Sequence, residues 1–419
     1  GDVTRLDAGR GSNLPGAAAL GVVDDPQLTH DVAAWLGARL HADGVSLNLA
    51  PVADVDADPR NPIIGIRSFG SEPDSVAAHV AAFVAGQQRS RVAATVKHFP
   101  GHGATVEDSH YTVPVVTASP EQLRRRELVP FRAAIAAGVQ VVMTAHVQYP
   151  RLDDGPATLS RAILTDLLRG ELGFEGVVMT DGLDMHAISQ TVGHAEGTVG
   201  ALLAGADAIC IGGESTDAAI VERLVSAITG AVRSGRLPLS RLLDAAHRVG
   251  RLAAWTTGPS LPHDLDEPGA EAATRAIAVA GDVRLSGPPI VLELHDEPTI
   301  ASGEVPWAIG EPLAERLPGT VVVGLAPHSA DPLPTLGLYA DRPVVLAVRG
   351  LRRRAWQRDV VEIVRAQRPD VIVVDHELSA DRSVLGPNHL RTFSGSRVSA
   401  QVAADMLSGR TPLPATSDV

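Results

Sequence analysis

Strand-length apolar runs alternate with stretches of helical period through the first 257 residues, and this alternation constrains the fold more than any other feature. The runs are Val45 to Leu49, Val92 to Val96, Val139 to Thr144, Gly176 to Thr180 and Ala208 to Ile211. Between them lie helical patterns over Pro26 to Ala42, Asp74 to Gln88, Pro120 to Ala137, Ser160 to Glu171 and Glu196 to Gly205, and Ser240 to Thr256 follows. Such βαβα alternation with apolar strands implies a parallel sheet with helices outside. If the sheet closes into a barrel, its reactive groups belong at the carboxyl ends of the strands. Asp54, Lys97, His98, Thr144, His146 and Asp181 each lie at or just past such an end. Folding alone gives no reason for that alignment.

The densest group is Lys97-His98-Phe99-Pro100-Gly101-His102-Gly103, followed by Asp108-Ser109-His110. Gly and Pro permit tight turns, while Lys and His supply donors and a group that exchanges protons near neutral pH. The chain of 419 residues carries a net charge of -13, which argues against nucleic acid or an anionic membrane surface as partner. Arg124 to Arg126 and Arg352 to Arg354 read as solvated helix faces. With aromatics at 3%, Ala, Val and Leu must pack the core. The lone Cys210 excludes an intrachain disulfide, cannot alone build a thiolate metal site, and reads as a buried inert thiol. No apolar stretch is long enough to span a bilayer.

Lys97 to Gly103 together with Asp108-Ser109-His110 resembles the signature of the family 3 glycoside hydrolases, in their β-N-acetylglucosaminidase branch. Val177 to Met185, with the run Thr180-Asp181-Gly182-Leu183-Asp184, resembles the family segment whose first aspartate is the nucleophile. Lesser matches are Ala50 to Val55, Arg67 to Gly70, Met143 to Val147 and Leu172 to Gly176, so the likeness covers residues 1 to about 255 in family order. It implies an α/β fold: a (β/α)8-type (TIM) barrel over 1–257, then a smaller α/β sandwich domain over 263–419. Gly1 to Leu6 is similar to the tail of a family segment that closes an early strand, so the numbering is expected to begin inside the barrel. A cytoplasmic location is the accompanying expectation.

The resemblance also assigns roles. Asp181 becomes the nucleophile of a retaining mechanism, although alone it reads equally well as a helix N-cap. His110 becomes the proton donor, held by Asp108. A carboxylate on one ring nitrogen fixes the tautomer and favours imidazolium, leaving the other nitrogen to serve the leaving oxygen. A loop histidine paired locally with an aspartate is the ordinary alternative. Lys97, His98 and Arg67 become donors to sugar hydroxyls, though a lysine at a strand end is usually a surface group. Asp54 is a further sugar ligand or an ordinary acidic turn, with similar weight. His146 reads as site-lining and His102 as a brace for its own loop. Ile66 stands where the family usually has an acidic residue.

The implied activity is exo-acting removal of terminal N-acetylglucosamine from peptidoglycan fragments or chitooligosaccharides, with no metal or cofactor. A phosphorylase using the same nucleophile is one rival, since a histidine does not repel phosphate as a carboxylate would. A metal-dependent hydrolase is another, but no H-x-H or H-E-x-x-H spacing is present. A binding protein that has lost catalysis is the third, and retention of Asp181 with Asp108 and His110 weighs against it.

Past a boundary turn at Gly258 to Pro262, Val283 to Leu285, Ile290 to Leu294, Val321 to Leu325, Val344 to Val348 and Val371 to Val374 read as strands alternating with shorter helices. A doubly wound α/β unit is expected there, without a nucleotide motif. His295, Asp296, His328, Asp375 and His376 near its strand ends read as surface polar residues, with a docking or substrate-lid role as the second reading.

Overall fold

The computed structural model describes residues 11–107, 112–212, 217–260, 266–295, 308–378 and 382–414. The strands in chain order are β1 Leu47–Asn48, β2 Ala93–Phe99, β3 Val141–Thr144, β4 Gln148–Tyr149, β5 Asp153–Pro156, β6 Val177–Met179, β7 Ala278–Ala280, β8 Ile290–Leu294, β9 Val321–Leu325, β10 Val344–Val348, β11 Ile372–Asp375 and β12 His389–Arg391. Two compact units divide the chain, one of residues 25–64 and 68–266, the other of residues 11–24, 65–67 and 267–414 among those described.

In the first unit β1, β2, β3 and β6 pair in that order, all parallel, and a parallel bridge from Met179 to Ala208 extends the sheet. The expected strand at Ala208 to Ile211 is therefore reduced to a single bridge among the described residues. Helices stand between successive strands. Pro26–Ala42 begins where the Asp25 carboxylate accepts the amides of Gln27 and Leu28, with Pro26 opening the first turn. The stretch from Pro120 to Ala137, read as one helix, is two: Pro120–Arg125 and Leu128–Ala136. Pro130 explains the break. It has no N–H for the Arg126 carbonyl four residues back, and its ring would crowd that carbonyl in a continuous helix. A helix over Ala218–Arg233, which the sequence reading passed over, starts on the Asp217 cap.

Asp207 ties the first unit together. Its carboxylate is fully buried, receives Arg169 and Arg241, and accepts the Val178 amide on β6 at 2.9 Å. Strand β6 is thereby fixed to helices Ala162–Glu171 and Leu239–Thr256 through one charge. Neighbouring apolar groups, Ala93, Val141 and Val177 with Leu252 and Trp255, fill the space beside it.

In the second unit the sheet order is β7-β12-β11-β10-β8-β9, parallel except for the β12–β7 pair. The sequence step from β8 out to β9 and back across to β10 is the doubly wound pattern. Both faces are apolar. Val291, Val345 and Val374 meet Leu313, Val398 and Val402 on one side, while Leu292, Leu346 and Val373 meet Val360 and Val364 on the other. Three expectations need correction here. Asp375 and His376, read as surface polar residues, are buried at the end of β11. Val283 to Leu285 is not a strand, and the antiparallel edge strand is instead β7, paired with an unforeseen three-residue strand, β12. Helix Ala17–Val23 and the turn Gly65–Arg67 pack in this unit, with Ala18, Ala19, Ile66, Ala276 and Phe393 in one cluster. Among the described residues no helix is long and apolar enough to cross a membrane.

Removing this buried anion takes the buried counter-charge from Arg169 and leaves Arg241 with Asp244 alone, at a cost of about 3–5 kcal/mol. Asp207→Ala should therefore lower the unfolding free energy of the first unit by that order, read as a shifted urea midpoint. A change below about 1 kcal/mol would show that the network contributes no more than surface pairs do.

Candidate active site

The loop after β2 is built onto one carboxylate. Asp54 is fully buried. Its Oδ2 meets the ring Nδ1 of His98 at 2.6 Å, and its Oδ1 accepts the amides of His102 at 2.7 Å and His98 at 3.3 Å. Burial by itself would raise the Asp54 pKa, but His98, followed by His102, outweighs it, so the group lies below the usual carboxylate range. The segment from Val52 to Asp58 runs beside the loop. The Ala53 amide donates to the Lys97 carbonyl at 2.6 Å, and the Asp58 amide to that of Gly103 at 3.3 Å. Gly103 has to be glycine, because a Cβ there would stand 1.7 Å from the Val55 carbonyl oxygen. The peptides Lys97-His98 and Phe99-Pro100 are cis. His102 pairs with Thr105 at 2.8 Å, and Asn61 donates to the His102 carbonyl at 2.8 Å.

Asp181 stands two residues beyond the end of β6, half-buried. No helix starts on it: the next one, His186–Ser189, begins after Met185, which removes the N-cap explanation. Its Oδ1 accepts the Gly182 amide at 2.9 Å. Desolvation is the largest influence on this carboxyl and pushes its pKa up. The neighbours outweigh it: His98, His146 and Lys97, with the Gly182 amide, pull Asp181 down to about 2. It is an anion at any physiological pH, set among positive groups at a strand end. Cys210 lies within the same field and is half-buried, not fully buried as expected. Burial, Asp181 and Asp184 hold its thiol up to about 11, so it stays protonated.

His146 braces this turn. Its Nε2 donates to the Gly182 carbonyl at 2.9 Å, and its Nδ1 lies 2.8 Å from the Thr158 hydroxyl, which also meets Thr144 at 2.6 Å. Asp184 is buried and accepts the Gly212 amide at 3.3 Å, as a turn residue does.

Lys97, His98, His146 and Asp181 thus share one electrostatic neighbourhood, and Asp54 reaches it through His98. Asp54 and His146 are too completely enclosed to meet a ligand directly; both shape the site from behind. Arg67 is half-buried at the end of the Gly65–Arg67 turn, which belongs to the second unit. Asp108 and His110 lie outside the described residues. Among the described residues no group of three His, Cys, Asp or Glu side chains has the arrangement to hold a metal. Asn61, Thr105, Glu127, Tyr149 and Thr158 support the site and were not singled out from the sequence. Glu127 did leave a trace there, since it stands four residues from Leu123 and four from Phe131, inside an apolar stripe.

The family described as "Glycosyl hydrolase family 3 N terminal domain" matches residues 1–252. A "Beta-hexosaminidase" of Stenotrophomonas maltophilia strain K279a is 42% identical over 207 residues, 48% of this chain and 61% of that protein. "Beta-hexosaminidase A" of Pseudoalteromonas piscicida is 32% identical over 271 residues, 60% of this chain and 45% of that one. The chain therefore spans about half to three-fifths of the length of these relatives. A solved family 3 β-N-acetylglucosaminidase from Paenibacillus sp. str. FPU-7 superposes with a TM-score of 0.87 at 33% identity, covering 99% of this chain and 83% of that one.

The depressed Asp181 pKa has a consequence for stability. A carboxyl whose folded pKa lies below its unfolded value adds stability above the unfolded pKa, and that addition is lost as pH falls through the folded one. For Asp181 the window runs from its ordinary 3.8 down to about 2. Asp181→Asn should lose less stability across that window than the parent protein does, measured by denaturant midpoints at successive acidic pH values. Parallel acid limbs would mean that the surrounding cations do not act on this carboxylate.

Proposed function

Because the chain belongs to glycosyl hydrolase family 3, we propose that it is a retaining exo-β-N-acetylglucosaminidase, acting on peptidoglycan fragments or chitooligosaccharides. The observation that carries this reading is Asp181, an anion at the end of a parallel strand that Lys97, His98 and His146 keep ionised. The names borne by the Stenotrophomonas and Paenibacillus proteins support the choice of sugar. The first unit belongs to a (β/α)8 ring of which β1, β2, β3 and β6 are a part and forms the catalytic domain expected over 1–257, except that residues 11–24 and 65–67 pack with the second domain, expected over 263–419.

In the first half of the reaction an Asp181 oxygen bonds to the anomeric carbon as the glycosidic C–O bond breaks. The oxocarbenium-like transition state gains from the carboxylate below it. His110, oriented by Asp108, gives its proton to the leaving oxygen. In the second half the neutral imidazole takes a proton from water, whose oxygen displaces Asp181 and releases the sugar with its configuration retained. Lys97 and His98 hold the sugar hydroxyls. Asp54 acts through His98, whose Nδ1 it occupies, so that the other ring nitrogen is the one presented to the ligand. His146 acts through Gly182, keeping the backbone beside the nucleophile in place.

Trapping with a slow-turnover 2-acetamido fluorosugar, followed by peptide mapping, tests both nucleophile and sugar. The label should appear on Asp181, and a label elsewhere would overturn the mechanism. Asp181→Ala should abolish turnover. His110→Ala should lose most activity on natural leaving groups but much less on an activated aryl glycoside, which needs little protonation; equal losses would contradict the acid role. Free sugar, and not sugar 1-phosphate, should form when phosphate is present.

A further inference from the structure

Glu127 is enclosed, 1% exposed, in the break between helices Pro120–Arg125 and Leu128–Ala136. One carboxylate oxygen accepts from Arg126 Nε at 2.7 Å; the other, Oε2, is buried and has no hydrogen-bond partner among the described residues. The side chain is pressed against Gly101. A Cβ on that glycine would stand 2.8 Å from Glu127 Cβ and 2.9 Å from its Oε2. Gly101 adopts φ of +135°, its amide donates to the His98 carbonyl at 2.7 Å, and its own carbonyl accepts the Tyr149 hydroxyl at 2.8 Å. The turn from His98 to Gly101 therefore closes directly on Glu127, while Asp54 grips the same loop through His98 and His102.

We propose that Glu127 is a positioning residue for sugar binding: its side chain wedges the His98–Gly101 turn and so sets where Lys97 and His98 stand. This rests on the reading above, in which those two residues hold the sugar. The wedge acts by shape more than by charge. Burial drives the Glu127 carboxyl up to about 7, Arg126 draws it back down and Asp54 adds to the rise, with the buried Tyr149 also facing it. An uncharged group of the same outline therefore suits the pocket, and a shorter charged one leaves a gap next to Gly101.

The test compares Glu127→Gln, Glu127→Asp and Lys97→Ala on an aryl 2-acetamido-2-deoxy-β-glucoside, with circular dichroism and Tm to confirm folding. Glu127→Asp keeps a carboxyl but retracts it by one methylene. It should raise KM by about tenfold with kcat little changed, the pattern of lost ground-state binding. Glu127→Gln should restore KM to within about twofold of the parent, since it refills the space. A residue that served the fold alone would shift Tm and leave KM where it was. The proposal is overturned if Glu127→Asp folds and retains the parental KM while Lys97→Ala raises it, or if Glu127→Gln is as impaired as Glu127→Asp. A parental KM in Lys97→Ala removes the sugar-holding premise instead, and the proposal with it. Should Glu127→Asp fail to fold, Tyr149→Phe decides: freeing the Gly101 carbonyl should raise KM in the same manner to a smaller degree, and an unchanged KM counts against the wedge.

Discussion

The contact between Asp54 and His98 is the one on which the site depends. A carboxylate with no exposure to water survives inside a protein only if its charge is met by donors. Here three donors come from the end of β2 and the loop after it: the His98 imidazole nitrogen and the backbone amides of His98 and His102. The arrangement works in both directions. The loop neutralises the buried charge, and the charge fixes a glycine- and proline-containing segment that has little regular hydrogen bonding of its own. The close approach of Gly103 to Val55 is possible because no side chain intervenes. Lys97 and His98 are placed by this clamp, and through them the field at Asp181 is set.

That field explains how a half-buried carboxyl can remain an attacking group. Desolvation favours the protonated form, which is useless as a nucleophile. Lys97 and His98 reach Asp181 from the end of β2 and His146 from just beyond β3, so adjacent parallel strands supply the opposing charge. A parallel sheet gives this convergence without further design, since every strand ends on the same side and the residue after each end points into shared space. The second carboxylate at this rim, Asp184, is turned aside to the Gly212 amide.

Much of this was legible in the sequence because it is periodic. Apolar runs marked β2, β3, β8, β9 and β10, and the helix Pro26–Ala42 carried its own start signal in Asp25 and Pro26. The segments that escaped notice lack such signals. Strand β12 is three residues, His389 to Arg391, with one apolar side chain, and only its neighbours β11 and β7 make it a strand. The break before Leu128 hid inside an unbroken helical period, and Pro130 was the sign of it. The site divides in the same way. Residues just past strand ends were visible as polar groups in unusual places, but the distinction between touching a ligand and bracing a neighbour was not. Asp54 and His98 are 44 positions apart, and no local pattern announces their contact. His146 looked like a lining residue and is buried, with its two ring nitrogens on Thr158 and Gly182.

Two acidic side chains, Asp54 and Glu127, lie under the same loop, and their surroundings drive them in opposite directions. Asp54 is surrounded by N–H donors and one imidazole, and stays an anion. Glu127 is driven up by burial to about 7, with a single guanidinium on one oxygen, Gly101 packed beside the side chain and Asp54 adding to the rise. Similar burial with unequal donors is enough to push two carboxyls in opposite directions. The difference matters for the loop. Two anions on one segment would repel each other through a medium of low polarity. With one charged and the other free to be neutral, the loop can be gripped from two sides at once, electrostatically by Asp54 and sterically by Glu127.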